Sequence, residues 1–151
     1  MFQALFHLDA KEHNIYQLSY LLLSDCTALT DLCFGGCDIS SGSLWFENCS
    51  AIKNFSCGPN PLGSLDVSEL TELVDLECGN SELESLDLSN NKKLKNVECG
   101  DNDFDEDDLN NLFESLHEIE IKDKWISFIH NPGFEDCDLS IIEKKGWTYD
   151  Q

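Results

Sequence analysis

Three cysteines, Cys57, Cys78 and Cys99, stand 21 residues apart, and the pairs Ser43-Leu44, Ser64-Leu65 and Ser85-Leu86 keep the same interval. A fixed period of this size marks a stacked array, in which each unit is too small to bury its own apolar face. Reading from Leu73, the unit runs Leu73, Leu76, Cys78, Ser81, Leu83, Leu86, Asp87, Leu88, Ser89. The unit before it reads Ile52, Phe55, Cys57, Asn60, Leu62, Leu65, Val67, and the one after opens as Leu94, Val97, Cys99, Asn102, Phe104 before dissolving into an acidic run. Upstream, Leu29, Leu32, Phe34, Cys37 and Ile39 form an imperfect copy with two extra residues before Leu44 and Phe46. A half copy begins at Leu21 and Leu23.

The alternation Leu76-x-Cys78 has period two, so both side chains face one side of a short strand. Stacked on its neighbours at about 4.8 Å, such a strand predicts a parallel sheet with a continuous inner face. The alternation Leu86-x-Leu88 predicts the same on the opposite wall of each coil. Asn60 and Asn102 fall at a turn, where an Asn side chain can bond the backbone of adjacent coils; Cys37 and Ser81 take that place elsewhere. Gly35, Gly58, Gly79 and Gly100 each follow the core strand at a fixed place and are expected to serve the turn.

On these residues, the span 18–104 resembles the leucine-rich-repeat family, in its 21-residue class with a cysteine in the core strand. The resemblance implies an α/β fold: a right-handed leucine-rich-repeat solenoid of about four coils, with short parallel strands, a cysteine ladder and a helix-containing C-terminal cap. The tail adds to it. Asp108 to Leu116, then Asn131-Pro132-Gly133, Asp136-Cys137-Asp138 and Lys145-Gly146-Trp147-Thr148, look like the closing module of leucine-rich-repeat proteins from Bacteroidetes-type bacteria. Those relatives are mostly exported or surface-attached and are similar to adhesins and other protein-binding scaffolds, which implies the same here. The expected division is an N-terminal cap over 1–17, with Ala4 to Ile15 similar to the helix-and-turn cap of those relatives, repeats over 18–104 and a capping module over 105–151.

The chain has eight cysteines. In the repeat register Cys57, Cys78 and Cys99 point into the core, where a free thiol packs as a small hydrophobe. Stacked thiols lie within bridging range by Cα distance, but their parallel Cβ vectors make a disulfide awkward. Cys26 and Cys49 share a column at the position of Asn91 and form the best disulfide candidate. Cys33 falls on an outward strand position. There is no CxxC spacing and no Cys/His cluster, so zinc is disfavoured.

After Phe104 the pattern changes. Leu109, Leu112, Phe113 and Leu116 follow helical spacing, with Asp105 to Asp108 at the end where the helix dipole favours acids. Ile119-x-Ile121 and Trp125 to Ile129 read as short strands, and Asp138 caps a last helix that Gly146 stops. The run Asp101 to Asp108 invites a calcium reading, but an EF-hand needs Gly at its sixth position and Glu at its twelfth, and Glu106 and Leu112 stand there. A weak cation site of another kind is the alternative to a solvated helix start.

Thirty acidic residues against nine basic give a formal charge of −21. Such a surface repels phosphate backbones, so nucleic acid is not an expected partner, and anionic membranes are disfavoured for the same reason. No run approaches the about 18 apolar residues of a membrane span. The first ten residues lack the basic region and cleavage site of a signal peptide. His7, His13, His117 and His130 lie outside the repeats, and no nucleophile motif or phosphate-cradling loop occurs. The chain therefore reads as non-catalytic, without metal or cofactor. Its expected partner is a protein, with a cytosolic scaffold of reduced cysteines as the alternative to an exported one. The candidate binding residues are two outward strand columns, Asp31, Asn54, Asp75, Asn96 and Cys33, Ser56, Glu77, Glu98. On the opposite wall the candidates are Trp45, Asp66 and Asp87. Trp45 either faces a partner or packs beneath the two-residue insertion before Leu44.

Overall fold

A computed structural model describes residues 7–9, 20–40 and 42–150. The expected N-terminal cap lies outside those residues except for His7–Asp9. In chain order the elements are β1 (His7–Asp9), β2 (Leu21–Ser24), β3 (Asp31–Cys33), β4 (Leu44–Glu47), β5 (Asn54–Ser56), β6 (Asp75–Glu77), β7 (Asn96–Glu98), α1 (Glu106–Ser115), β8 (Trp125–Ser127), α2 (Ser140–Lys144) and β9 (Thr148–Tyr149). The main sheet runs β1-β3-β5-β6-β7-β8-β9, with every pair parallel, and β2 pairs with β4 in a separate two-stranded sheet. This is a solenoid of stacked coils around a parallel sheet, the α/β architecture that the leucine-rich-repeat resemblance implies.

The register follows the repeat. Leu32, Phe55, Leu76, Val97 and Ile126 are aligned across successive strands, and all five are buried. Two residues later comes a second buried column of Phe34, Cys57, Cys78, Cys99 and Phe128. Its backbone continues the ladder: Phe34, Cys57, Cys78 and Cys99 donate their amides to Ser56, Glu77, Glu98 and Ser127 of the following coil at 2.8–3.0 Å. The three cysteines thus sit between an aromatic ring at either end. Phe34 stacks on Phe55 at 5.4 Å, and Phe128 meets Phe113 at 4.9 Å.

The turn asparagines close each coil onto the one before it. Asn60 Oδ1 accepts from the amides of Cys37 and Ile39 at 3.0 and 3.1 Å, while Nδ2 donates to Phe34 O at 3.0 Å and to Cys57 O. Asn102 repeats the set, accepting from Ser81 and Leu83 and donating to Cys78 O and Cys99 O. Asn131 repeats it again on Asn102, Phe104, Cys99 and Phe128. The segment expected only as a turn is therefore also a repeat position, and the main sheet continues past Phe104 through β8 and β9. At Ser81 no such side chain is present, and the carbonyl of Ser81 itself accepts from Leu62 and Gly63, each at 3.1 Å.

The conserved spacing of glycines has a different cause from the one expected. Gly35, Gly58, Gly79 and Gly100 have no positive φ; Gly58 is needed because a Cβ there would lie 1.9 Å from the carbonyl oxygen of Gly79 in the next coil. A Cβ on Gly79 would lie 3.1 Å from Gly100 O, a milder collision. These glycines let coils approach rather than turn.

The opposite wall also departs from the expectation. Leu65 and Leu86 point inward with Val67 and Leu88, as the alternation requires, but only β2 and β4 form a ladder there. In the later coils Asp66 and Asp87 each accept from the amide two residues on, Ser68 at 2.9 Å and Ser89 at 2.8 Å, and these Asx turns bend the wall where a strand would otherwise run.

Beyond the repeats, α1 opens with a full capping box: Asp105 accepts from the Asp108 amide, and the Asp108 side chain accepts from the Asp105 amide. Leu109, Leu112 and Phe113 are buried as their spacing predicts. Asp138 accepts from the Ser140 amide ahead of α2, and Gly146 follows it with φ of 74°. Ile119–Ile121 is not a strand; it is an irregular turn that leaves Ile119 exposed, because the chain there links α1 to β8 instead of joining the sheet. Beside it His117 is buried with Nε2 donating to Leu94 O at 2.9 Å, which leaves Nδ1 bare and without a partner. Trp147 covers the ring, and Lys124, Lys92 and Lys145 are the charges around it.

Two expectations follow. Gly58→Ala destabilises the protein by about 1–3 kcal/mol or more, and Gly79→Ala by less, since overpacking against backbone cannot relax by rotating a side chain; thermal melts of the two variants give the order. Burial, aided by the neighbouring lysines, pushes the His117 pKa down. Its contribution to stability is then full above the ordinary histidine value of about 6.5 and is lost as pH falls through the lowered folded value. Melting temperature should drop between pH 7.5 and 5.5, and His117→Gln, which keeps a donor but cannot titrate, should flatten that slope.

Candidate binding surfaces

The expected strand columns are where the register requires. Asp31, Asn54, Asp75 and Asn96 are in line, continued by His7 before them and Trp125 after; Cys33, Ser56, Glu77 and Glu98 form the second line, continued by Asp9 and Ser127. The first column is a bonded ladder. Asn54 Nδ2 donates to Asp31 Oδ1 at 2.5 Å, and Asn96 Nδ2 donates to Asp75 Oδ1. An amide thus separates each carboxylate from the next, so strand stacking does not press like charges together. Hydrogen bonds from Thr30 and Asn54 hold the Asp31 carboxyl below the usual carboxylate range. Much of the polar capacity of this column is therefore spent within it. The second column carries Glu77 and Glu98 as exposed carboxylates, and Cys33 is half-buried.

Trp125 was not among the candidates, although its place was legible. The series Trp125-Ile126-Ser127-Phe128-x-x-Asn131 has the spacing of Asn96-Val97-Glu98-Cys99-x-x-Asn102, displaced by 29 residues instead of 21 because α1 fills the intervening half-coil.

The opposite wall is more open. Trp45 faces solvent, with 64% of its surface exposed, and is not packed beneath the insertion. Its indole Nε1 donates to Gly42 O of that insertion at 2.9 Å, which fixes the ring as a lip. Leu22 lies beside it in the ladder and is 60% exposed, and Tyr20 is exposed nearby. Neither was expected as a surface residue; the Leu22–Trp45 pairing depends on the 23-residue offset between β2 and β4.

Between β4 and the next coil lies a cleft of about 250 Å³, floored by Leu62 and Leu65 and flanked by Trp45, Phe46, Asp66 and Glu69. A second cleft of about 450 Å³ shares Leu65 and Asp66 and reaches Leu86 and Asp87. A third, about 350 Å³, shares Leu86 and Asp87 and ends against Asp108 on α1. Bonds from Ser68 hold the Asp66 carboxyl low. The wall is thus a row of shallow grooves with apolar floors and carboxylate rims, leading away from an aromatic lip.

The thiols offer little reactivity. All eight cysteines are unbridged. Burial pushes Cys78 up to about 12 and raises Cys57 and Cys99 as well, so the column is protonated at neutral pH. Cys26 and Cys49, the best disulfide candidates, are unbridged: Cys26 Sγ donates to Ser24 O at 3.5 Å, and Cys49 Sγ donates to Leu23 O and Glu47 O, each at 3.3 Å. Among the described residues, no group of three or more His, Cys, Asp or Glu could hold a metal ion. The acidic run is engaged locally, Asp105 and Asp108 in the helix cap and Asp101 on His130 at 3.1 Å.

No family model matches the chain, and no curated protein matches it. Among solved structures it is similar to the functional domain of InlJ from Listeria monocytogenes, described as including a cysteine ladder. The two share 20% identity with a TM-score of 0.49 over 93% of this chain and 36% of that one, so this chain spans little more than a third of that structure. Any functional reading therefore rests on this chain's own geometry.

Thiol accessibility checks this description. In the native protein an aromatic disulfide reagent should titrate at most the half-buried Cys26, Cys33 and Cys137, while Cys37, Cys49, Cys57, Cys78 and Cys99 react only after unfolding. Rapid native reaction of Cys78 would contradict the buried column.

Proposed function

We propose that the protein is a non-catalytic protein-interaction scaffold, exported or surface-associated, and that it binds through the Trp45 wall. The observation that carries the reading is Trp45: an indole tethered by its own N–H, more than half exposed, beside an exposed Leu22 at the mouth of an apolar cleft. Exposed apolar groups gathered in one patch signal an interaction site, and aromatics dominate the energetics of such sites. The strand face, with its acidic columns Asp31, Asn54, Asp75, Asn96 and Cys33, Ser56, Glu77, Glu98, serves as the secondary candidate, because half of its side chains bond one another.

Binding is favoured over catalysis by the state of the cysteines, whose thiols are mostly buried and held protonated. The exported location rests on the resemblance of the tail to bacterial surface proteins; among the described residues no helix is long and apolar enough to cross a membrane. A cytosolic scaffold is the second reading, favoured by eight unbridged cysteines. Fractionation of the native host separates the two.

Trp45→Ala should leave the melting temperature within a few degrees of the parent, since surface substitutions away from packed features shift stability by only about 0.5 kcal/mol. The same variant should weaken capture of the native partner in cross-linking from host cells. Undiminished capture by Trp45→Ala, together with loss on Glu77→Lys or Glu98→Lys, would move the interface to the strand face.

A further inference from the structure

We infer that the Trp45 wall takes an extended, lysine- or arginine-rich peptide segment, with an apolar residue seated against Trp45 and Leu22 and its cations laid along the carboxylates of the successive grooves. This rests on the reading of that wall as the interface and adds the chemistry of its partner.

Three observations carry it. The first is shape. Successive clefts share Leu65–Asp66 and then Leu86–Asp87 in their linings, so they lie in a row across the coils and not as a single closed pocket. A row of repeating side-chain sites suits an extended chain, whose alternate side chains face one way. The second is the alternation of chemistry along it. Each groove has a leucine floor with an aspartate rim, Leu65 with Asp66 and Leu86 with Asp87, and Glu69 and Asp108 stand at the ends. Long basic side chains match this pattern, since their methylene stems cover apolar surface while the charged head stays in water beside the acid. The third is charge. A chain with 30 acidic and 9 basic residues attracts a cationic segment from a distance and repels a second copy of itself.

The aromatic lip adds selectivity for a cation or an apolar group at the entry, because an indole face attracts guanidinium and ammonium groups. The tether to Gly42 holds the ring in place before binding, so little ordering remains to oppose it. The Asx turns have a second consequence. Asp66 and Asp87 each give one oxygen to a backbone amide, which orients the carboxylate on the rim.

The test uses the full chain and two short fluorescein-labelled peptides: one with an N-terminal leucine followed by alternating arginine and serine, the other with glutamate in place of arginine. Fluorescence anisotropy should show saturable binding of the basic peptide and none of the acidic one. Trp45→Ala should weaken it roughly tenfold, the scale of burying one apolar side chain against the ring. The double variant Asp66→Asn, Asp87→Asn should weaken it as much while preserving the fold, because each asparagine still accepts the Asx bond. In the nitrogen–proton spectrum the indole signal lost in Trp45→Phe should be the one the peptide shifts, while those of Trp125 and Trp147 stay in place. The inference is overturned if Trp45→Ala binds the basic peptide as tightly as the parent, which would mean diffuse attraction to an acidic surface. It is equally overturned if the parent dimerises through this face in sedimentation and Trp45→Ala does not, which would make a second copy the occupant. Loss of native-partner capture by Trp45→Ala, with no peptide binding at all, would leave the interface standing and reject only the basic partner.

Discussion

Everything in this chain depends on neighbouring coils being held one strand spacing apart. No coil has a core of its own. Leu76 is buried because Phe55 and Val97 lie on either side of it, and the same holds for each member of the column. Such an arrangement is stable only if the backbone of every coil is satisfied by the next, which the strand ladders do on one side and the asparagines do at the turn. Asn60, Asn102 and Asn131 each tie two amides and two carbonyls, polar groups that would otherwise be buried unpaired at a cost of roughly 1–3 kcal/mol apiece. The spacing then dictates glycine where backbones nearly touch, as at Gly58 against Gly79.

The same spacing explains the surface. Identical positions in adjacent coils are close enough to interact, so any charge that recurs with the repeat is a liability. In the first strand column the difficulty is solved by alternation, Asp31, Asn54, Asp75, Asn96, with each amide donating to an acid. In the second column Glu77 and Glu98 stand side by side as exposed carboxylates. On the opposite wall Asp66 and Asp87 stay exposed, and each gives one carboxylate oxygen to the backbone amide two residues on. There the wall is not laddered beyond β4, and what the chain forgoes in hydrogen bonding appears as the row of grooves.

How much of this was legible in the sequence depends on how local the cause is. The inward columns, α1 with its acidic cap and the last helix all follow from spacing alone, because period and position determine which side chains face the core. The role of Gly58 was not legible, since its neighbour in space is Gly79, and a positive φ and a close approach look alike in one dimension. Asn131 was hidden by an interval of 29 residues, the length α1 adds to its coil. For the candidate sites, the strand columns could be aligned from the repeat, but the bonds that tie Asp31 to Asn54 could not be read from residue types. Trp45 was visible as an aromatic in an acidic column. That it would point outward, fixed by Gly42 O, depended on the two-residue insertion before Leu44, and no period describes an insertion.

The asparagine ladder is interrupted at Ser81. There the side chain is too short to reach across, and at this turn the coil above is joined by backbone bonds from Leu62 and Gly63 to the Ser81 carbonyl, while the β5–β6 ladder joins the two coils on the strand side. In a molecule whose cohesion is a sum of nearest-neighbour contacts, the weakest junction decides where the array divides. Among the described coils, the turn edge between Asn60 and Ser81 is therefore the junction to which side chains add least, and backbone bonds alone hold it there.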